Sequence, residues 1–394
     1  MPTGIVMPKR GSARRIRVGD APGRIRTCDL ALRRRALYPL SYRRVGVTLA
    51  AVRLSHRTAT LRLAQPFSIS RETATEVEVV WVALEANGAT GYGEAAPQAH
   101  YGESLESARA FLDDAEALLG DDPFALEEIC ARMAERPGEQ AAKAAVDNAL
   151  HDLCGKLAGL PTWKMLGVPR TGPPTSWTVW LGDPDDMARR AERVDPRFRR
   201  LKLKLGGRDG LDVERVRAVR GVTELPLMVD VNEYWELDEA IENVRALAGL
   251  GVEYVEQPLP AGDPGGARLK AEAALPIYVD EDCHTLADVA PCAERAHGIN
   301  IKLAKAGGIR EAVKMAVSAR SLGLGVMLGC MIESGLGIAG AAQVAPLCDH
   351  VDLDGNLLLA EDPWPGVELR EDGVQVPSDR PGLGAREEAL PDPR

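Results

Sequence analysis

Two lysines stand two positions apart in residues 200–207, which read RLKLKLGG. Lys202 and Lys204 alternate there with leucines, which predicts a short β-strand. Residues i and i+2 of a strand share a face, so the two ammonium groups are expected to lie side by side. Like charges at that distance repel each other, and the pair therefore indicates chemistry rather than packing.

Polar and ionisable side chains also follow the later apolar runs. They are Asp230 with Asn232, Glu256, Asp280 with Glu281, Lys302 with Lys305, Glu333, and Asp352 with Asp354. One such residue alone would be interpreted as a solvated loop charge, but six successive runs that end this way are hard to ascribe to chance. Because buried charge is costly unless it is paired or bound to a metal ion, the pattern predicts one common site.

Three carboxylates in this set, Asp230, Glu256 and Asp280, end three consecutive runs. If those runs are neighbouring strands, the carboxylates converge. Hard oxygen ligands suit Mg²⁺, and water and substrate would fill the remaining positions of its octahedral coordination. The sequence therefore predicts a Mg²⁺ cofactor held by these three side chains.

Lys204 and Lys302 are expected to flank that metal from opposite sides. A carbon acid next to a carboxylate loses its proton only if the enediolate is stabilised, which a divalent cation does. A base on each face lets a proton leave one side and return on the other, which inverts the stereocentre. A lysine base must be neutral near pH 7, and we expect the positive charge of Lys202 to favour the neutral form of Lys204.

Eight apolar runs, repeated roughly every 22 to 30 residues, position these side chains. They are residues 176–180, 200–205, 226–231, 252–257, 276–281, 298–305, 324–330 and 350–355. Amphipathic stretches between most of them predict parallel strands joined by crossover helices. Eight such strands favour a closed barrel. The lack of a G-x-G-x-x-G motif after the first strand weakens the dinucleotide-binding alternative.

The chain before the barrel has a different pattern. Residues 47–82 alternate in strand fashion, and the Gly-rich stretch 87–97 predicts turns of an antiparallel meander. Helical patterns follow at about 104–119, 123–135 and 139–158. Together they predict an α+β domain.

Composition narrows the function classes. The 394 residues are 45% apolar and 27% charged, and the net charge of −10 argues against a nucleic-acid function for the whole chain. The seven scattered cysteines include no CxxC pair, which fits reduced thiols in a cytoplasmic protein. No apolar run approaches the ~18 residues of a membrane span. We expect a cytoplasmic protein without nucleic-acid or membrane partners.

Residues 1–45 are strongly basic. A basic arm could bind nucleic acid or a membrane surface, although it lacks the apolar core of a signal peptide. Residues 23–44 resemble the peptide produced when a tRNA gene is translated in frame. We therefore predict a spurious or disordered extension, with no ordered fold before roughly Val45.

From about residue 47 to 385 the chain resembles the enolase superfamily, in its muconate-lactonizing subgroup. The matching motifs are LKLK (201–204), DVN (230–232), EQP (256–258), VDED (279–282) and NIKLAKAGG (300–308). The resemblance implies an α/β fold: a (β/α)7β TIM-type barrel at 166–365 with an N-terminal α+β capping domain at 46–165. Residues 366–394 are expected to return to the capping domain.

The same resemblance implies roles for the charged side chains. Asp230, Glu256 and Asp280 match the Mg²⁺ ligands, and Lys204 and Lys302 match the acid/base pair. Lys305 is the less favoured base.

Substrate recognition is expected at the last strand. Asp352 and Asp354 lie on one face of it and point at the site, and this D-x-D resembles that of dipeptide epimerases, where it binds the amino terminus of the dipeptide. Glu333, in MIES, is expected near the same end of the substrate. Thr178 and Asn232 are further candidates for substrate binding.

The capping domain is expected to meet the second side chain of the dipeptide. PFSISR (66–71) resembles its mobile specificity loop, with Phe67 as an apolar wall and Arg71 as a carboxylate partner. That would favour an acidic C-terminal residue, as in Ala-Glu from peptidoglycan; the alternative is an ordinary surface arginine. YGES (101–104) is expected in a second lid loop. Trp180 is bulkier than the residue usual in relatives and would narrow the pocket or stack on the substrate.

These observations predict a Mg²⁺-dependent dipeptide epimerase that transfers a proton at the α-carbon of the C-terminal residue, in a homo-oligomer. The alternatives within the subgroup are an N-succinylamino acid racemase and a cycloisomerase. An alternative of another class is a non-catalytic enolase-like binding protein that uses its basic arm.

Overall fold

The structure, a computed structural model, describes residues 51–388. The extension predicted at residues 1–45 lies outside them. Three antiparallel strands come first: β1 (Arg53–Ser68), β2 (Thr73–Ala86) and β3 (Ala89–Ala95), in the spatial order β1-β2-β3. The apolar/polar alternation of the sequence produces this sheet, since one face packs on helices.

The Gly-rich stretch is only partly a turn, which corrects the prediction for residues 87–97. Only Asn87 and Gly88 form the turn, and β3 begins directly after them. Gly91 and Gly93 lie inside the strand because the following helix packs against their backbone. A Cβ at Gly91 would stand 2.2 Å from the carbonyl oxygen of Ala149. These glycines therefore serve close packing rather than chain reversal.

Four helices follow, of which the first and the third pack on the sheet. They are α1 (Leu105–Leu119), α2 (Leu126–Ala134), α3 (Gln140–Ala158) and α4 (Thr162–Leu166). Ser104 caps α1, where its side chain and that of Ser107 bond each other's backbone N–H. The predicted α+β arrangement is confirmed.

A parallel eight-stranded sheet forms the second part of the fold. Its strands are β4 (Trp177–Val179), β5 (Leu201–Lys204), β6 (Leu227–Asp230), β7 (Val252–Glu256), β8 (Ile277–Val279), β9 (Gly298–Lys302), β10 (Gly325–Gly329) and β11 (His350–Val351). Spatial order equals chain order. A parallel bridge between Thr175 and Val351 joins the first strand to the last. The predicted barrel with its capping domain is confirmed.

Helices connect successive strands of the barrel. They are α5 (Pro184–Glu192), α6 (Asp212–Arg220), α7 (Leu237–Ala248), α8 (Gly266–Glu272), α9 (Leu286–Arg295), α10 (Leu303–Ala306), α11 (Ile309–Ser321) and α12 (Gly335–Ala342). Leu201 and Leu203 of β5 pack outward, in the core beneath the helices. Met228, Tyr254 and Met327 pack together as part of a separate buried cluster.

The chain ends in the hairpin of β12 (Val367–Leu369) and β13 (Gln375–Pro377). Beyond it, Gly382 bridges to Pro161 beside α4. The exact domain boundaries remain a prediction. None of the helices within residues 51–388 is both long and apolar enough to cross a membrane.

Candidate active site

Three carboxylates meet at the carboxyl ends of neighbouring strands. Asp230 is the last residue of β6, Glu256 is the last residue of β7, and Asp280 directly follows β8. Register places Lys204, Asp230 and Glu256 in one row across β5, β6 and β7. All three carboxylate residues have no solvent exposure. The structure therefore brings the predicted ligand set together.

Lys202 lies buried among these carboxylates. Its Nζ is 2.8 Å from Glu256 Oε2, 2.9 Å from Asp352 Oδ2 and 3.1 Å from Asp230 Oδ2. Lys204, one pleat nearer the strand end, places its Nζ 2.6 Å from the same oxygen of Asp230. Lys202 is only 1% exposed, and its charge is compensated on three sides.

Two further lysines approach from β9 and the helix after it. Lys302 Nζ lies 2.8 Å from Asp280 Oδ2, opposite the contact that Lys204 makes with Asp230. Lys305 bonds the other carboxylate oxygen of Asp280 and also donates to the carbonyls of Cys283 and Asn300. These hydrogen bonds hold Lys305 in place, which fits its prediction as the less favoured base.

For the lysines and Asp230, burial and the neighbouring charges shift the pKa in opposite directions. Burial lowers the pKa of Lys202, but the three carboxylates around it outweigh burial and hold that pKa well above its usual value. The same balance, with Asp280 as the main partner, raises the pKa of Lys302. Burial raises the pKa of Asp230, yet the lysines beside it bring that pKa below its usual range. For Glu256, burial and the charge of Asp230 raise the pKa.

The donor set fits a divalent cation. Glu256 Oε2, Asp280 Oδ2 and Glu281 Oε2 are buried and accept no well-aligned hydrogen bond, although a lysine Nζ lies within 2.8 Å of each of the first two. Buried carboxylate oxygens without donors are costly, and an oxygen-seeking cation such as Mg²⁺ would use them. Asn300, which the sequence interpretation missed, donates to Glu256 Oε1 at 2.7 Å and orients it. The signal was its position two residues before Lys302.

An open cavity of about 240 Å³ lies above these groups. Its lining includes Lys202, Lys204, Lys302, Thr178, Asn232, Asp352, Asp354, Phe67 and Arg71. The structure thus gathers most of the predicted site residues around one space. Asn232 contacts Lys204 Nζ through Oδ1 at 3.3 Å.

The two aspartates after β11 line the wall beside β4. Asp352 bonds Lys202 and the hydroxyl of Ser176. Asp354 Oδ2 accepts the backbone N–H of Thr178 at 2.6 Å. Burial, with the charge of Asp352, raises the pKa of Asp354 to about 7. Together they form an acidic wall on the cavity.

Glu333 is placed differently from the prediction. Its carboxylate turns back and accepts the backbone N–H of Met331 at 3.0 Å, so that Met331 and Ile332 line the cavity in its place. Burial and the charge of Glu94 raise the pKa of Glu333 to about 8. Substrate binding by Glu333 stays a prediction, one that this placement does not support.

Arg71 projects from the β1–β2 turn into the mouth of the barrel. Its guanidinium bonds Glu233 at 3.0 Å and Glu281 at 2.9 Å, and its side chain is 23% exposed. Arg71 is thus ion-paired and partly buried, and its role as a partner of a substrate carboxylate stays a prediction. Phe67 lines the cavity, and its ring centroid is 6.0 Å from that of Trp180. Trp180 itself lies outside the lining of this cavity.

Glu233 and His100 are residues of this region that the sequence interpretation missed. His100 Nε2 lies 2.8 Å from Glu233 Oε2, and these two residues with Glu281 form a group whose ligand atoms lie within 4.8 Å of one another. Arg71 bonds both glutamates, so a cation already compensates the group. Only the position of Glu233 directly after the DVN motif signalled a role.

Comparison with known families gives two matches along the chain. Residues 51–167 match the model described as the N-terminal domain of mandelate racemase / muconate lactonizing enzyme. Residues 186–388 match the model described as enolase C-terminal domain-like. Together the matches cover most of the chain.

Curated relatives are epimerases with different substrates. The chain is 39% identical to the L-Ala-D/L-Glu epimerase of Bacteroides thetaiotaomicron over 82% of its own length and 85% of the relative. It is 35% identical to a hydrophobic dipeptide epimerase of a Flavobacteria bacterium, with 85% of this chain and 98% of the relative covered.

Solved structures agree with this result. The substrate-liganded L-Ala-D/L-Glu epimerase of Bacillus subtilis superposes with a TM-score of 0.82 at 33% identity, covering 86% of this chain and 99% of that one. A dipeptide epimerase of Enterococcus faecalis, complexed with Mg and L-Leu-L-Tyr, gives 0.80 at 31% identity with the same coverage. An N-succinyl Arg/Lys racemase of Bacillus cereus gives 0.81 at 29% identity, covering 86% of this chain and 96% of that one.

Proposed function

The chain belongs to the mandelate racemase / muconate lactonizing enzyme family of the enolase superfamily, and from that membership we propose that it is a Mg²⁺-dependent dipeptide epimerase. The reaction inverts the α-carbon of the C-terminal residue by 1,1-proton transfer. The observation that carries this proposal is the pair of lysines, Lys204 and Lys302, that bond Asp230 and Asp280 on opposite sides of one carboxylate cluster.

Asp230, Glu256 and Asp280 would hold the metal, which supplies positive charge for the developing enediolate. Lys204 or Lys302 removes the α-proton, depending on which epimer is bound, and the other lysine returns a proton to the opposite face. Both Nζ groups line the cavity and both have a buried carboxylate within 2.8 Å. Lys202, enclosed among three carboxylates, balances their charge rather than transferring a proton.

Asp352 and Asp354 would bind the free ammonium group of the dipeptide. Their side chains form an acidic wall on the cavity, and a substrate cation compensates two adjacent carboxylates well. This feature separates a dipeptide from an N-succinyl substrate, which carries no ammonium group. It therefore favours dipeptides over the substrate class of the N-succinyl racemase.

The test is a dipeptide library incubated with the enzyme and Mg²⁺ in D₂O, analysed by mass for α-deuterium and by chiral separation for inversion. We expect deuterium at the C-terminal α-carbon of a subset of the dipeptides. An N-succinylamino acid library in parallel reports the first alternative. A chain that exchanges deuterium into N-succinyl substrates alone is a racemase, and one that exchanges none contradicts the enzymatic proposal.

A further inference from the structure

Arg71 is an arginine that the capping domain contributes to the lining of the substrate cavity, and two carboxylates already compensate its charge. Nη1 bonds Glu233 Oε2 at 3.0 Å and Nη2 bonds Glu281 Oε1 at 2.9 Å. An arginine recognises a carboxylate best through two parallel N–H groups. Here Glu233, Glu281 and the carbonyl of Asn232 already accept hydrogen bonds from the terminal nitrogens. An acidic side chain of a substrate would therefore compete with two carboxylates for the same cation.

Glu233 is held where it can do this. Its backbone has φ 75°, in the left-handed region that non-glycine residues seldom adopt, and its N–H donates to the carbonyl of Gln257. Oε1 accepts the backbone N–H of Ala261 at 2.8 Å, and Oε2 receives Arg71 and His100. The carboxylate is thereby fixed from three directions.

Beside polar residues such as Glu72, Gln98 and His100, the cavity wall carries a group of apolar side chains. It includes Phe67, Ile69, Ala74, Val77, Met331 and Ile332. An apolar side chain would bury area there, whereas a carboxylate would face a guanidinium that two glutamates neutralise.

We propose that Glu233 determines the specificity of the enzyme for the second residue of the dipeptide, because it occupies Arg71 and so favours an apolar over an acidic side chain. The inference rests on the proposed epimerase function. Glu233 acts through Arg71 and is a positioning residue, not a catalytic one. Sequence alone had favoured an acidic C-terminal residue at Arg71.

The experiment compares kcat/KM for L-Ala-L-Leu and L-Ala-L-Glu in the full chain with Mg²⁺. In Glu233→Gln, which keeps the size of the side chain and removes its charge, we expect the Glu/Leu ratio to rise about tenfold, the worth of one charged hydrogen bond. The change should lie mainly in KM for L-Ala-L-Glu, with kcat for L-Ala-L-Leu retained. Glu233→Asp, which keeps the charge, should keep the wild-type ratio.

Two further variants separate this effect from a structural one. Glu253→Gln removes another glutamate that pairs with an arginine, Arg200, away from the cavity, and should leave the ratio unchanged. In the Arg71→Gln background, Glu233→Gln should no longer raise the ratio, because its effect passes through Arg71.

An active wild type whose ratio does not change in Glu233→Gln would overturn this inference and leave the epimerase proposal standing. An equal loss of activity on both dipeptides in Glu233→Gln would overturn it as well, because a purely structural role gives that result. A wild type inactive on every dipeptide would overturn the epimerase proposal and this inference with it.

Discussion

Lys202 and Lys204 contact the same atom, Oδ2 of Asp230, at 3.1 and 2.6 Å. The strand pleat puts both ammonium groups on one face, and the shared carboxylate offsets their repulsion. Lys202 also meets Glu256 and Asp352, while Lys204 reaches the cavity. The expectation that Lys202 favours the neutral form of Lys204 stays a prediction. The carboxylate of Asp230 lies against both ammonium groups and reduces the repulsion between them.

Removing the deeper lysine should expose its structural role. Lys202→Met leaves three buried carboxylates short of a cation, and we expect the free energy of unfolding without metal to fall by about 3 to 5 kcal/mol. Added Mg²⁺ should reduce that loss, because a cation at the same carboxylates replaces part of the missing charge and binds the folded state. Denaturant unfolding with and without Mg²⁺ measures both values.

The exposed Lys164→Met is the matched control for that variant and should change little in either condition. A loss that is equal with and without Mg²⁺ would show that the metal does not bind at these carboxylates.

Each proposed base should be needed for one epimer. Lys204→Ala and Lys302→Ala should each lower epimerisation by about a thousandfold. The remaining lysine still faces one side of the α-carbon, so each variant should keep some α-deuterium exchange on one epimer without inverting it. The two variants should favour opposite epimers, measured by mass in D₂O. Loss of exchange on the same epimer in both would contradict a base on each face.

Binding of the substrate ammonium group can be tested at Asp354, whose carboxylate accepts the backbone N–H of Thr178 and does not bond Lys202. Asp354→Asn keeps an oxygen for that N–H and removes the negative charge. We expect KM for a free dipeptide to rise about tenfold and the weak reaction of its N-acetyl form to stay the same. An equal effect on both forms would contradict binding of the ammonium group at this wall.

A buried histidine predicts a pH dependence of stability away from the active site. His151 lies 2.8 Å from the carbonyl and 3.4 Å from a carboxylate oxygen of Asp147. Burial lowers its pKa, but Asp147 outweighs burial and raises that pKa above the usual 6.5. The protonated ring therefore stabilises the fold fully below pH 6.5, and this contribution is lost as the pH rises through the raised pKa.

We accordingly expect His151→Gln to lower the thermal midpoint most below pH 6.5, with a shrinking difference from wild type at higher pH. His297 gives the opposite sign, because burial lowers its pKa; its stabilising contribution is lost as the pH falls below 6.5. Calorimetry of wild type, His151→Gln and the corresponding His297→Gln from pH 5.5 to 8.5 measures the two trends. Parallel curves for His151→Gln and wild type would contradict a charged His151.

Much of the site could be predicted from the sequence because its geometry is local. The face on which Lys202 and Lys204 lie follows from the pleat of one strand. The convergence of Asp230 and Glu256 follows from two parallel strands that end at the same edge, and their register pairs them directly. Neither inference needed a long-range contact beyond strand adjacency.

The orientation of Glu333 and the use of Gly91 could not be predicted in this way. Glu333 is buried near Glu94, and its carboxylate accepts a backbone N–H two residues earlier instead of facing the cavity. Gly91 resembles a turn residue in sequence, but the approach of α3 requires it inside a strand.

By itself, the sequence determined the eight-stranded barrel and the identity of the charges at its mouth, since periodicity and strand ends are properties of neighbouring residues. Only the tertiary structure decided what those charges face. Arg71 meets Glu233 and Glu281 across separations of 162 and 210 residues. A free guanidinium and a neutralised one look the same in the sequence. The difference depends on how the β1–β2 turn packs against the barrel, which brings Arg71 to two glutamates distant in the chain.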